Sequence, residues 1–519
     1  MKKLTLLAVA FAMACNSSQK TVDKSVTDVK ATADPTSFAT KITEADLKEH
    51  LYTYASDEFE GRETGEPGQK KAIAYLKSVY ESLGIPAAQS NGDYFQTVPL
   101  EVSNVPEGHV TVNSKEYELG EDFVTFSAAN GTYNDVAYVG YGIEEDNYSD
   151  YSDIDVTGKL VLVKFGEPMK DDGTYLISGT DEKSVWSNMS ESIGKRTEIA
   201  KSKGAKGIIY LDEGNFKRFK GYFEYSKSNN KGRMDLKKTE EPFASIVADA
   251  TFAKAIYADI EKDNTSKILE VSLTLAIESN NDEVISENVA AVIKGSEKPN
   301  EYVIISSHLD HIGVSANGDI NNGADDDGSG SVALLEIAKA FKAAKDAGHG
   351  PKRSIVFLHV TGEEKGLLGS RYYTDVSPIF PLSETVADLN IDMVGRIDPK
   401  REGDRNYIYL IGSDKLSTEL HELSEEVNSK YMNIELDYTY NDENDPNRFY
   451  YRSDHYNFAK NNIPIIFYFN GTHADYHKPG DTPDKINYDL LENRTRLVFY
   501  TAWEVANRAK RLVVDKATE

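Results

Sequence analysis

Apolar residues change their period along the chain, and the changes mark out three regions. From Thr43 the spacing of Leu47 and Leu51 is helical, with Thr43 and Asp46 resembling a capping box at its start. Ile73, Leu76, Val79, Tyr80 and Leu83 predict a second helix, closed by Gly84. The polar, glycine-punctuated stretch 57–65 between them reads on its own as a surface turn. Residues 115–265 alternate short apolar strands, at 136–141, 160–165 and 208–211, with Gly and Lys/Asp breaks. A helix ending at Lys203 and Gly204 feeds the last of these strands. That window holds no histidine, so a small β-rich insert is expected there, serving binding or covering rather than chemistry. From residue 266 onward the pattern becomes strand, loop, helix: strands at 288–293, 302–306, 354–360, 386–391 and 463–469, and a long helix at 331–345. Several of these strands are apolar throughout, which requires a sheet covered on both faces. The fold class is therefore α/β, a three-layer sandwich around a mixed, mostly parallel sheet, with a smaller β-rich inserted domain.

At roughly 100 to 200 residues per domain, 519 residues suggest two to four domains. The insert at 115–265 divides one α/β domain into the parts 41–114 and 266–519. The 58 basic and 85 acidic residues leave a net charge of −27, which repels phosphate backbones and argues against a nucleic-acid partner. Met1-Lys2-Lys3 followed by an apolar run to Ala14 has the form of an export signal, too short to span a membrane as a mature helix. The one cysteine, Cys15, stands where a bacterial lipoprotein is cut and lipidated, with Ala12 where leucine is usual. The alternative is ordinary cleavage at the same bond. Residues 15–40 hold few apolar side chains and read as a flexible tether. The expectation is a chain held in the bacterial cell envelope through a lipid on Cys15, or otherwise periplasmic or secreted. A single cysteine excludes an internal disulfide, and any metal must be held by His, Asp and Glu.

Groups able to bind metal recur just past the apolar strands. The strand at 302–306 runs into His308-Leu309-Asp310, and Asn322-Gly323-Ala324-Asp325-Asp326-Asp327-Gly328-Ser329-Gly330 opens the long helix. The strand at 354–360 is followed by Gly362-Glu363-Glu364, that at 386–391 by Asp392, and that at 463–469 by Tyr476-His477 and Gly480-Asp481-Thr482. Open α/β sheets form their sites outside the carboxyl ends of the strands, so these loops converge on one crevice. Each fragment alone has a bland reading, as a turn, a cap or a surface histidine. Five of them in this context, with two histidines and three or more carboxylates, fit two zinc ions with open positions for water.

The ordered set HxD, GADDDGSG, GEE, NIDMVG and YHxxGDT resembles the co-catalytic dizinc aminopeptidases and their relatives in the glutamate carboxypeptidase II group. The separations of 28 residues from Glu364 to Asp392 and 85 from Asp392 to His477 match that family, as does the upstream SDEFEGRETG. The insert, with Val139-Gly140-Tyr141-Gly142 and Gly158-Lys159-Leu160-Val161, resembles a protease-associated domain. The resemblance implies that His308 and Asp392 bind one zinc ion, Glu364 and His477 the other, and Asp326 bridges them. It also implies that Asp310 orients His308, Glu363 is the general base, and Tyr476 hydrogen-bonds the scissile carbonyl oxygen. Asp325 and Asp327 then shape their loop, and His455, in Ser453-Asp454-His455, packs near the site. His311, His359, His421 and His473 have no partner in these motifs and are expected to be structural or surface residues.

The activity so implied is removal of N-terminal residues from peptides by a zinc-dependent exopeptidase. A carboxypeptidase of the glutamate-releasing type shares the ligands but reads a terminal carboxylate with arginines, and no such cluster is placed by sequence. A glutaminyl cyclase uses one zinc ion, against the full paired set here. A non-catalytic receptor on the same scaffold, as transferrin receptors are, predicts lost ligands, whereas every ligand position holds a competent residue.

Overall fold

The central sheet draws its strands from both sides of the insert. In the computed structural model the described residues are 34–229, 232–237, 243–401 and 403–516, and from Pro35 onward they form one unit. The sheet consists of β1 (Phe95–Ser103), β2 (Arg233–Leu236), β3 (Asp282–Ile293), β4 (Lys298–His308), β5 (Arg353–Val360), β6 (Thr385–Ile391), β7 (Tyr407–Ile411), β8 (Glu435–Asp437) and β9 (Ile465–Phe469). Their order is β2-β1-β3-β5-β4-β6-β9-β7-β8. The run β5-β4-β6-β9 is parallel throughout, with Ile305 paired to both Phe357 and Leu389, and Leu389 to Ile466. The pairings of β2 with β1, β1 with β3, β3 with β5, and β9 with β7 are antiparallel. The sheet is thus mixed, as expected, but it is parallel mainly at its centre. Antiparallel pairs such as β1 against β3 flank that centre.

Helices cover both faces. They are α1 (Glu44–Tyr54), α2 (Pro67–Ser82), α3 (Gly330–Asp346), α4 (Thr418–Tyr431), α5 (His455–Ala459) and α6 (Tyr488–Asn507). The capping reading of Thr43 holds: its hydroxyl accepts from Asp46 N at 3.2 Å. Pro67 starts α2, and Gly84 follows its end at a φ of +65°, a conformation open to glycine. On one face Phe341 of α3 packs on Phe499 and Trp503 of α6, and Tyr80 of α2 on Phe357 of β5. On the other, Phe458 and Ala459 of α5 join Ile304, Val356 and Leu358. Adjacent residues of β5 therefore face opposite layers, which is why that strand is apolar without interruption.

A second, eight-stranded sheet runs in the order Lys115–Glu118, Glu107–Val112, Lys267–Glu278, Ala129–Tyr138, Leu160–Lys164, Gly207–Leu211, Ala244–Ala248, Phe123–Val124. It buries Val110, Leu162, Ile209 and Leu273 among others in a core of its own. Its strands reach beyond the 115–265 window on both sides, from Glu107 to Glu278. One segment inside that window, β2, instead pairs with the edge of the central sheet, Leu236 opposite Leu100.

The expected tether at 15–40 is shorter than its composition suggests, because Thr36–Ala39 forms a helical turn and Phe38 stacks on Trp503. Arg496 also donates to the carbonyls of Ala39 and Ile42. The export signal and Cys15 lie outside the described residues. Among the described residues no helix is long and apolar enough to cross a membrane.

Candidate metal centre

The parallel strands β5, β4, β6 and β9 all end on the same side of the sheet, and the polar groups that follow them meet there. His308 is the last residue of β4, Asp392 follows β6 directly, Glu363 and Glu364 follow β5, and His477 lies beyond β9. The loop 322–329 that starts α3 brings Asp326 between them. His308 Nε2 lies 3.2 Å from Asp326 Oδ1 and 3.7 Å from Asp392 Oδ1. On the other side His477 Nε2 is 3.1 Å from both Asp326 Oδ2 and Glu364 Oε2. Asp326 thus turns one oxygen to each histidine. Glu363, Tyr476, Met393, Phe449, Phe467 and Phe469 line the same cleft.

The surrounding hydrogen bonds fix this arrangement. His308 Nδ1 faces the Asp310 carbonyl at 3.0 Å, leaving Nε2 for the site. The Asp310 carboxylate stands 4.0 Å from that nitrogen; it accepts instead from Glu363 N at 3.1 Å and from Thr64 Oγ1 at 2.7 Å. Asp310 therefore reaches His308 through its backbone and Glu363 through its side chain. Ser453 donates to Asp392 Oδ2 at 2.6 Å and accepts from Asn390 at 2.9 Å. Asp327 accepts from the amides of His308, Gly330 and Met393, and Asp325 from that of Gly395, so both tie the loop to β4 and to the turn after β6. Asp481 accepts from the amides of Asp325 and Asp326.

Electrostatics are extreme for so small a space. Burial works against charge on Asp326, yet His311, His308 and His477 around it hold its carboxyl well below the usual range. Burial also opposes charge on His477, but Asp326 and Glu364 outweigh it and lift its pKa to about 10. Burial pushes the Glu363 carboxyl well up, helped by Glu364, Asp392 and Asp454 and opposed by His308. Asp326 Oδ2 is buried without an aligned N–H donor among the described residues, although two histidines surround it. An orphaned carboxylate oxygen among imidazoles and further carboxylates is a donor set suited to a divalent cation, and its mix of N and O ligands fits zinc.

Several other residues depart from expectation. His311, expected to be structural or superficial, is buried with Nδ1 2.9 Å from Glu364 Oε1. His308, Asp326 and Asp392 form one close group of potential ligands, and His311, Asp326 and Glu364 another. His473 lies behind the site, 3.2 Å from Asp325. His455 packs, as expected: its ring stacks on Phe467 and Nε2 donates to the Tyr450 carbonyl. His359 and His421 are likewise away from the cleft, bonded to Tyr80 and Ser413. The stretch 57–65 is no surface turn, since Phe59, Gly61 and Arg62 are buried. His311 had a signal in the sequence, its place directly after the HxD pair.

A model of Peptidase family M28 matches residues 288–502, the span that holds every one of these ligands. Over residues 288–502 the chain is thus similar to peptidases of family M28. A probable leucine aminopeptidase 2 of Aspergillus oryzae is 26% identical over 427 residues, 76% of this chain and 72% of that protein. The chain spans about half the length of other proteins called leucine aminopeptidase 2 that it matches. A probable glutamate carboxypeptidase LAMP1 of Arabidopsis thaliana is 36% identical over 106 residues, 20% of this chain and 14% of that protein. The solved aminopeptidase from Aneurinibacillus sp. strain AM-1 covers 93% of this chain and 99% of its own, at 18% identity and a TM-score of 0.46. The span matched by that family model contains β4, β5, β6 and β9, and the candidate metal ligands lie at or beyond the ends of these parallel strands.

Proposed function

We propose that this chain is a zinc-dependent M28 aminopeptidase with a dinuclear centre, held by His308, Asp392, Asp326, Glu364 and His477, and with Glu363 as general base. The observation that carries the reading is the division of Asp326, one oxygen at 3.2 Å from His308 and the other at 3.1 Å from His477. Bound zinc supplies Lewis acidity toward a substrate carbonyl and an attacking water. Glu363, in the cleft beside these groups and held at its amide by Asp310, takes the proton from that water and passes it to the leaving amine. Tyr476, stacked on His477 with ring centroids 3.9 Å apart, is placed to donate to the carbonyl oxygen as charge develops. Met393, Phe449, Phe467 and Phe469 offer an apolar wall to the substrate side chain.

A carboxypeptidase reading has one observation in its favour: Arg452, exposed and stacked on Phe449, also lines the cleft and could meet a terminal carboxylate. Mass spectrometry on one apolar pentapeptide in two blocked forms separates the two. The N-acetylated form is expected to resist and the C-amidated form to be trimmed from its front. Trimming of the acetylated form from its C-terminus, with the amidated form untouched, would reverse the assignment.

Two further proposals concern the rest of the chain. The second sheet is a protease-associated-like insert, which its deletion in a cleavage assay on long and short peptides would test. The chain is exported and lipid-anchored at Cys15, for which labelled palmitate should enter the parent chain and not Cys15→Ala.

A further inference from the structure

His311 and His477 both approach Glu364, one at each oxygen. His311 Nδ1 is 2.9 Å from Oε1 and 3.8 Å from Asp326 Oδ2, whereas His477 Nε2 is 3.1 Å from Oε2. The two rings meet edge to face, 5.7 Å apart. The imidazole of His311 is fully enclosed. Its amide donates to the Arg62 carbonyl at 3.3 Å, and its ring lies against Gly323, where an added Cβ would come within 2.5 Å of Cδ2. The ring is therefore closely confined, and in the orientation it adopts Nδ1 is turned to the carboxylates.

Its two nitrogens show what that orientation does. Nδ1 faces two carboxylates, groups that only accept when ionised, while Nε2 is buried with no partner among the described residues. Were Nδ1 a metal ligand, the proton would sit on Nε2, as a buried N–H with no acceptor. Orphaned N–H donors are rarer and costlier than idle lone pairs. His308 shows the opposite arrangement: Nε2 turns to the site and Nδ1 finds the Asp310 carbonyl, the support a ligating imidazole receives. The proton of His311 thus belongs on Nδ1.

We propose that His311 is a positioning residue, which donates Nδ1–H to Glu364 Oε1 and so leaves Oε2 as the oxygen that Glu364 offers to the zinc ion shared with His477. The proposal rests on the dinuclear reading above. It explains why an enclosed histidine follows the HxD pair directly.

The test compares zinc content and zinc affinity, by chelator competition, in the parent protein, His311→Asn and His311→Leu. The Asn side-chain amide N–H takes the place of Nδ1–H, whereas Leu fills the space with no donor. In His311→Leu the affinity for one of the two ions should fall about tenfold to a hundredfold, the usual cost of losing an outer partner of a ligand. In His311→Asn it should stay within a few-fold of the parent. If Leu prevents folding, His311→Gln replaces it, since its amide reaches the Nε2 position instead. Asn and Leu equally defective would make His311 a ligand and overturn the proposal, as would no effect in either. A parent protein holding fewer than two ions would instead overturn the dinuclear reading, and this proposal with it.

Discussion

Arg62 donates from Nη1 to the carbonyl of Asn322 at 2.6 Å, joining the 57–65 segment to the loop that carries Asp326. The same guanidinium reaches the carbonyls of Leu309, Tyr54 and Gly323. One planar cation thereby fixes the loop after β4 and the loop before α3 relative to each other. Lysine presents a point charge that cannot span these acceptors. Arg62→Lys should lose on the order of 2–4 kcal/mol in denaturant unfolding, because several buried carbonyls lose a charged donor. It should also weaken zinc binding at both positions. An unfolding midpoint equal to that of the parent would show that the loops hold their places without it.

The two adjacent glutamates should separate cleanly. Glu363→Gln keeps its size but accepts no proton, so zinc content should stay near normal while turnover falls about a hundredfold or more. Glu364→Gln should instead weaken one ion, since an amide is a poorer ligand than a carboxylate. Equal loss of metal in both would contradict the separate roles that their surroundings indicate, Glu363 held through its amide by Asp310 and Glu364 flanked by His311 and His477.

The placement of these groups is largely legible in the sequence, because strand end, candidate ligand and glycine sit close together. β4 and His308, or β6 and Asp392, are read from one short window each. Less legible was whatever depends on contacts between distant segments. The polar composition of 57–65 gives no hint that Arg62 is enclosed, since its partners are carbonyls up to 261 residues away. The sequence ties Asp310 to His308 but does not say by which group, and only the fold shows the Asp310 carbonyl facing His308 while Thr64 and Glu363 occupy the carboxylate oxygens. The strand β2 is short and lies in a mixed-polarity stretch, so only its pairing with β1 identifies it. α6, fully twenty residues long, carries Arg and Glu among its apolar positions and is less apolar overall than α3.

Two histidines away from the cleft predict acid sensitivity. Burial pulls His359 down to about 3, and His455 likewise, its bond to the Tyr450 carbonyl only partly opposing burial. Both lie below the unfolded value near 6.5, so the unfolded chain binds more protons as pH falls. The stability they secure is complete above about pH 6.5 and declines below it, by about 1 kcal/mol for each between pH 7 and 5.5. His359→Leu and His455→Phe should each flatten the fall in midpoint across that range, whatever their effect at pH 7. Parallel curves for parent and variants would mean that neither histidine is kept neutral by the fold.

Asp326 should behave unlike every other ligand. Its two oxygens face His308 and His477 separately, while the one histidine that Asp392 approaches among the described residues is His308, at 3.7 Å. An asparagine at 326 retains the shape and the backbone bonds to Asp481, but replaces one of the two oxygens by an amide nitrogen, which cannot bind a cation. Asp326→Asn should therefore lose both ions on dialysis, whereas Asp392→Asn should keep about one. Elemental analysis of zinc per chain reads the difference directly. Thermal unfolding gives a second readout. Ligand present at a hundred times its dissociation constant adds about 2.7 kcal/mol per site, so zinc should stabilise the parent twice over, Asp392→Asn once and Asp326→Asn scarcely. An Asp326→Asn protein that still holds one ion at parental affinity would show that this carboxylate serves a single metal, and the shared centre would have to be given up.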